Sequence, residues 1–140
     1  MNVLVDTTVW SLSLRRHPRQ LNRRERTLSD ELAELVREHR VVMVGPVRQE
    51  LLSGVKGQRA FERLAGALRA FPDAPLERED FEAAARAHNR CRAAGVAGSS
   101  IDFLLCAVAL RRGLPVFTTD RDFERYARHL PLRLHEPTAT

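Results

Sequence analysis

The chain opens with a three-residue apolar run, Val3-Leu4-Val5, that passes at once to an aspartate, Asp6. Much later the pattern returns: Pro115-Val116-Phe117-Thr118 leads through Thr119 to Asp120, with Asp122 two residues on. A third apolar run, Val41-Val42-Met43-Val44, is followed by a stretch that carries Glu50. Runs this short and this apolar read as strands buried on both faces. Between them apolar residues recur at helical spacing, as in 27–39, where Leu28, Leu32, Leu35 and Val36 share a face. Further helices are expected over 8–14, from Pro46 to Gly54, and over 58–71, 79–94, 101–110 and 120–129. Short buried strands alternating with helices predict an α/β fold with a mainly parallel sheet. Segments 72–76 and 132–134 add candidate short strands, and 15–26 reads as a basic loop broken by Pro18.

At 140 residues the chain is the size of one domain, assigned to 1–135 with a tail over 136–140. Hydrophobic residues make up 44% and charged residues 29%, which excludes a disordered chain. No apolar run approaches the roughly 20 residues of a membrane span, and the first residues lack a signal peptide's basic flank. The expectation is a cytoplasmic protein with no membrane partner. Two cysteines, Cys91 and Cys106, are too few for a disulfide framework. His88 and Cys91 form an H-x-x-C pair, but no second pair stands at a zinc-like spacing. The formal charge is +5, and all but one of the 23 basic residues are arginine, the side chain whose planar fork best matches phosphate. Biased base composition in the encoding genome explains that excess equally well.

The acids carry the chemistry. Ligands of open α/β sheets bind beyond the carboxyl ends of the strands. Asp6, Glu50 and Asp120 are all delivered to that edge, and Asp102 joins them if its helix starts there. Each has a structural reading as well. Asp6 suits a helix cap. Glu50 suits a solvated helix face beside Val47, Leu51 and Leu52. Asp120 and Asp122 suit a helix start, where acids complement the dipole. Ser99-Ser100-Ile101-Asp102 resembles a capping box, yet Asp102 is the sole charge among the ten residues 101–110. A carboxylate among such neighbours is costly to desolvate unless paired or bound to a cation. Gathered carboxylates repel one another, and a divalent ion removes that repulsion. Oxygen-only ligands point to Mg²⁺, with Mn²⁺ as substitute.

Four ordered motifs now bear comparison with a known family. Val3-Leu4-Val5-Asp6-Thr7-Thr8-Val9-Trp10, Glu50-Leu51-Leu52-Ser53-Gly54, Asp102-Phe103-Leu104-Leu105-Cys106-Ala107 and Val116-Phe117-Thr118-Thr119-Asp120-Arg121-Asp122-Phe123 resemble, in order and spacing, the acidic motifs of PIN-domain ribonucleases. The likeness spans nearly the whole chain and is greatest to VapC toxins of bacterial toxin–antitoxin pairs. It implies a five-stranded parallel sheet with helices on both faces and Mg²⁺- or Mn²⁺-dependent cleavage of RNA. It also implies metal-binding and catalytic roles for Asp6, Glu50, Asp102 and Asp120, with Asp122 as an additional or outer acid. Thr118 and Thr7 are implied as supporting residues, and a homodimer and a VapB-like antitoxin as assembly and partner.

The expected reaction is endonucleolytic cleavage by a metal-activated water, leaving 5′-phosphate and 3′-hydroxyl ends. Arg15, Arg16, Arg19, Arg23 and Arg24 of the basic loop are candidate RNA contacts, with a merely solvated loop as the plain reading. The competing function is a non-cutting PIN-fold module that binds an antitoxin or nucleic acid. A receiver-type phosphate-transfer domain fits poorly, because the only lysine, Lys56, lies outside any late strand.

Overall fold

The computed structural model describes residues 1–138; residues 139 and 140 of the expected tail lie outside the described part. The first strand, β1 (Val3–Val5), is fully buried, as its unbroken apolar run requires. Asp6 caps helix α1 (Thr7–Leu14), and a 3₁₀ turn at Pro18–Gln20 leads to α2 (Arg23–Arg37). The chain continues through β2 (Val41–Val42), α3 (Gly45–Leu52), α4 (Gln58–Leu68), α5 (Arg78–Ala93), α6 (Ser100–Arg112), β3 (Val116–Phe117) and α7 (Asp122–Ala127).

Helix α2 begins inside the segment expected to be a basic loop. Asn22 and Glu25 form a reciprocal cap there: Glu25 N–H donates to Asn22 Oδ1 (2.8 Å), and Asn22 N–H donates to Glu25 Oε1 (3.0 Å). That satisfies two backbone donors a helix start otherwise leaves open, so Arg23, Arg24 and Arg26 stand on the first turn. Helix α7 starts later than expected. The Asp120 carboxylate accepts the Asp122 N–H at 2.9 Å, and this side-chain turn holds 118–121 as a loop.

The sheet is parallel, in the order β2-β1-β3, with Val3 opposite Val41 and Val5 opposite Phe117. Among the described residues it has three strands, not the five implied by family resemblance. The two missing strands shrink to single bridges, Met43 with Asp73 and Val116 with Leu134. Pro72 and Pro75 flank the first bridge and Pro131 precedes the second; a proline has no N–H to extend a ladder.

The core lies between this sheet and the helices. Residues 103–109 of α6 are all buried, which explains a helix with almost no polar face. Gly113, at φ 65°, ends α6 in the left-handed conformation and turns the chain into β3. The strand order reverses between β1 and β3, opening a crevice at their carboxyl ends. No described helix is long and apolar enough to cross a membrane.

Candidate active site

Asp6 sits at the carboxyl end of the central strand and is 5% exposed. Its Oδ1 accepts the Thr7 N–H at 2.8 Å, so it does cap α1. Its Oδ2 accepts the Thr118 hydroxyl at 2.8 Å and the Thr8 hydroxyl at 3.2 Å. Both hydroxyls accept a backbone N–H from the loop after β3: Thr119 N–H reaches Thr8 Oγ1 at 3.0 Å, and Asp120 N–H reaches Thr118 Oγ1 at 2.9 Å. A hydroxyl has one hydrogen to donate. The loop therefore orients both hydroxyls toward the carboxylate.

Asp102 stands in the first turn of α6, whose start lies at this same edge. The Ser99 hydroxyl accepts the Asp102 N–H at 3.1 Å, and Tyr126 Oη donates to Asp102 Oδ2 at 2.7 Å. One carboxylate oxygen from each of Asp102, Asp120 and Asp122 lies within 4.8 Å of the others. Asp122 is also ion-paired with Arg125, one turn along α7. Glu50 is at the exposed rim and feels the charges of Asp6 and Asp102. The five acids thus share one neighbourhood.

The electrostatics follow from the packing. Burial raises the Asp6 carboxyl above the ordinary aspartate value; its hydrogen bonds from Thr118, Thr7 and Thr8 oppose the rise and the Asp102 charge adds to it. Loss of water likewise raises Asp102, against its bonds to Tyr126 and Ser99, and the charges of Asp120 and Asp122 add to the rise. Glu50 is raised by lost hydration, then by Asp6 and Asp102, with the Thr7 side chain pulling the other way. Raised values in one cluster mean that the anions are under-compensated by protein alone. The donor set is all oxygen, which suits a hard divalent cation. Thr7 Oγ1 is also buried there with no hydrogen bond of normal geometry, leaving one polar atom for a water or ligand to satisfy. The residues therefore fit Mg²⁺ or Mn²⁺. Among the described residues no His or Cys joins such a group: His88 stacks on Phe103 at 4.6 Å and Cys91 is buried.

The basic-loop arginines divide by partner. Arg15 donates to the carbonyls of Glu50 (3.3 Å) and Ser53 (3.0 Å), and to that of Leu51, closing the end of α3. Arg16 pairs with Glu25 at 2.7 Å. Arg19 and Arg23 are exposed. Arg24 lines a cavity of about 370 Å³ together with Thr118, Asp120, Arg121 and His135.

Sequence reasoning did not single out Thr8, Tyr126 or Asp80. Thr8 stands two residues after Asp6, in the position of an Asx-type turn partner, and that spacing was the available signal. Tyr126 is four residues after Asp122, on its face of a helix. Asp80 is fully buried outside the site, bonded to Arg111 at 2.7 Å and to Arg112 at 2.7 and 3.1 Å. Nothing local in the sequence marks that cluster, because its partners lie 31 and 32 residues away.

The comparisons with known proteins identify the family. The PIN domain model matches residues 3–129. Ribonuclease VapC11 of Mycobacterium tuberculosis is 32% identical over 130 residues, 90% of this chain and 92% of that protein. Ribonuclease VapC6 of the same species is 32% identical over 89 residues, 61% of this chain and 70% of that protein. The structure of FitAcB from Neisseria gonorrhoeae superposes with a TM-score of 0.75 at 20% identity, covering 96% of this chain and 97% of that one. VapBC2 from Rickettsia felis, bound to a DNA fragment from its promoter, gives 0.76 at 14% identity, covering 96% and 98%. At these identities the two structures speak for the fold alone. With its acids at the crevice, its fold and its relatives in agreement, this chain belongs to the PIN domain family, beside the VapC ribonucleases.

Proposed function

We propose that this protein is a divalent-cation-dependent endoribonuclease and the toxin of a type II toxin–antitoxin pair. The observation that carries the reading is the convergence of Asp102, Asp120 and Asp122 within 4.8 Å, beside a buried Asp6. Asp6, Glu50, Asp102 and Asp120 hold the cation, and Asp122, shared with Arg125, serves as an additional or outer acid. When bound, Mg²⁺ or Mn²⁺ supplies activation of water and neutralisation of charge on the phosphate oxygens.

The chain's own residues supply order. Thr118 and Thr8 hold Asp6 at a fixed rotation, and Thr7 presents a hydroxyl to whatever fills the site. Arg24 and Arg121, lining the cavity next to Asp120, neutralise phosphates of an RNA strand laid across the crevice. Water as the nucleophile leaves the 2′-hydroxyl unused, so the products carry 5′-phosphate and 3′-hydroxyl ends.

The VapBC names of structural neighbours, one of them described as belonging to a family of toxin–antitoxin systems, support a VapB-like antitoxin as partner. A homodimer is part of the same proposal, with Phe81, 53% exposed on α5, as the apolar side chain open to it.

The test is cleavage of total bacterial RNA by purified protein with Mg²⁺, Mn²⁺ or EDTA, alongside Asp6→Asn and Asp102→Asn. Discrete fragments that require metal and vanish in both variants are the expected result. Metal uptake with no cleavage of any RNA would hand the reading to a non-cutting module.

A further inference from the structure

An aspartate in the first turn of a helix turns freely about two side-chain torsions, and a cation that binds it must first order it. Asp102 is not free. The Tyr126 hydroxyl donates to Oδ2 at 2.7 Å, and a phenol is a protonated donor at neutral pH. The bond is to an anion, the stronger kind.

Tyr126 cannot easily move away from it. The side chain is fully buried, with its ring centroid 4.8 Å from that of Phe103 and 5.2 Å from that of Phe123. Gly98 lies against the hydroxyl: a Cβ there would collide with Tyr126 Oη and stand 2.8 Å from Phe103. The close approach, rather than any unusual backbone angle, calls for glycine. Phenylalanine would fill the same core volume, so packing alone does not explain the hydroxyl.

The topology adds a second point. Helix α7 carries Asp122 at its first residue and Tyr126 one turn later, while Asp102 is on α6. The helix that delivers one acid of the cluster therefore grips another acid from a different helix.

We infer that Tyr126 is a positioning residue of the metal site, its hydroxyl fixing the Asp102 carboxylate so that it meets the cation together with Asp120, beside Asp122. This rests on the metal-dependent reading above.

The experiment is Mn²⁺ binding to the metal-free protein, followed by calorimetry and by the Mn²⁺ paramagnetic resonance spectrum, for wild type, Tyr126→Phe, Asp102→Asn and the double variant. Tyr126→Phe should bind Mn²⁺ about 10-fold more weakly, with an altered spectrum that a merely destabilised but folded site would not give. In the Asp102→Asn background the same change should add no further loss. Gly98→Ala, which displaces the ring but keeps the hydroxyl, should weaken binding as well. Wild-type affinity in Tyr126→Phe, or an equal loss with and without Asp102, would overturn the inference. If wild type takes up no Mn²⁺, the metal reading fails first and this inference falls with it.

Discussion

The Thr118 hydroxyl donates to Asp6 Oδ2 across 2.8 Å, tying the end of β3 to the end of β1 over 112 positions of sequence. Thr118 also accepts the Asp120 N–H, so one side chain sets both the rotation of Asp6 and the path of the loop bearing Asp120. Thr118→Val keeps the shape and removes both bonds. Losing a bond to a charged group should lower stability by about 2 kcal/mol, measured by urea unfolding. RNA cleavage should fall by about 10- to 100-fold, as for other residues that orient metal ligands. Unchanged cleavage would mean that Asp6 needs no such support.

Asp102 is expected to destabilise the metal-free protein at neutral pH. Its folded carboxyl holds its proton more tightly than the unfolded one. The penalty is therefore absent at acid pH, grows as pH rises through the unfolded value, and is complete above the folded one. Asp102→Asn should raise the metal-free melting temperature at pH 7 and lose that advantage near pH 3. Mg²⁺ should raise the melting temperature of wild type more than that of the variant. A variant less stable than wild type at pH 7 would contradict the sign.

Asp80 should behave in the opposite way. The Arg112 side chain, then the Glu77 N–H and Arg111, hold its carboxyl well below the ordinary aspartate value against the effect of burial. Its stabilisation is present above the unfolded value and is lost as pH falls toward the depressed folded one. Asp80→Asn should cost about 3 kcal/mol at pH 7, the low end for a broken buried pair because both arginines keep some water. Its urea midpoint should also lose much of the acid-side slope. Mn²⁺ affinity should stay near wild type, since Asp80 lies outside the acid cluster.

The arginines of the 15–24 region should separate into two kinds. Arg24→Ala and Arg121→Ala should each reduce the salt slope of RNA binding by about one ion. Arg15→Ala should leave the slope alone and lower the melting temperature, because its side chain closes the end of α3. If Arg15→Ala flattens the slope and Arg24→Ala does not, the strand runs on the other side of the crevice.

Asp6 and Asp120 were placed at their edge of the sheet by short apolar runs that each acid follows within three residues, whereas Glu50 stands eight residues after β2, on α3. Asp102 was legible as the lone charge of α6, although only the fold shows that α6 starts at the right edge. The flanking strands were not legible as single bridges: Val116 pairs with Leu134 once, and periodicity does not count ladder rungs. The start of α2 was hidden by arginines around the Asn22 and Glu25 cap, whose spacing nonetheless encodes it. Asp80 and Tyr126 were out of reach because each is defined by a partner on another helix.

Strand β1 occupies the middle of the sheet, between β2 and β3. It comes before both of its neighbours in sequence, yet the neighbour that completes its crevice comes from residues 116 and 117, and the last acid from 122. A growing chain can pair β1 with β2 early, but it cannot bring Asp6 together with Asp120 and Asp122 until residue 122 has been added. A fragment that stops before α7 therefore keeps Asp6, Glu50 and Asp102 but lacks Asp122, and carries an incomplete set of acids.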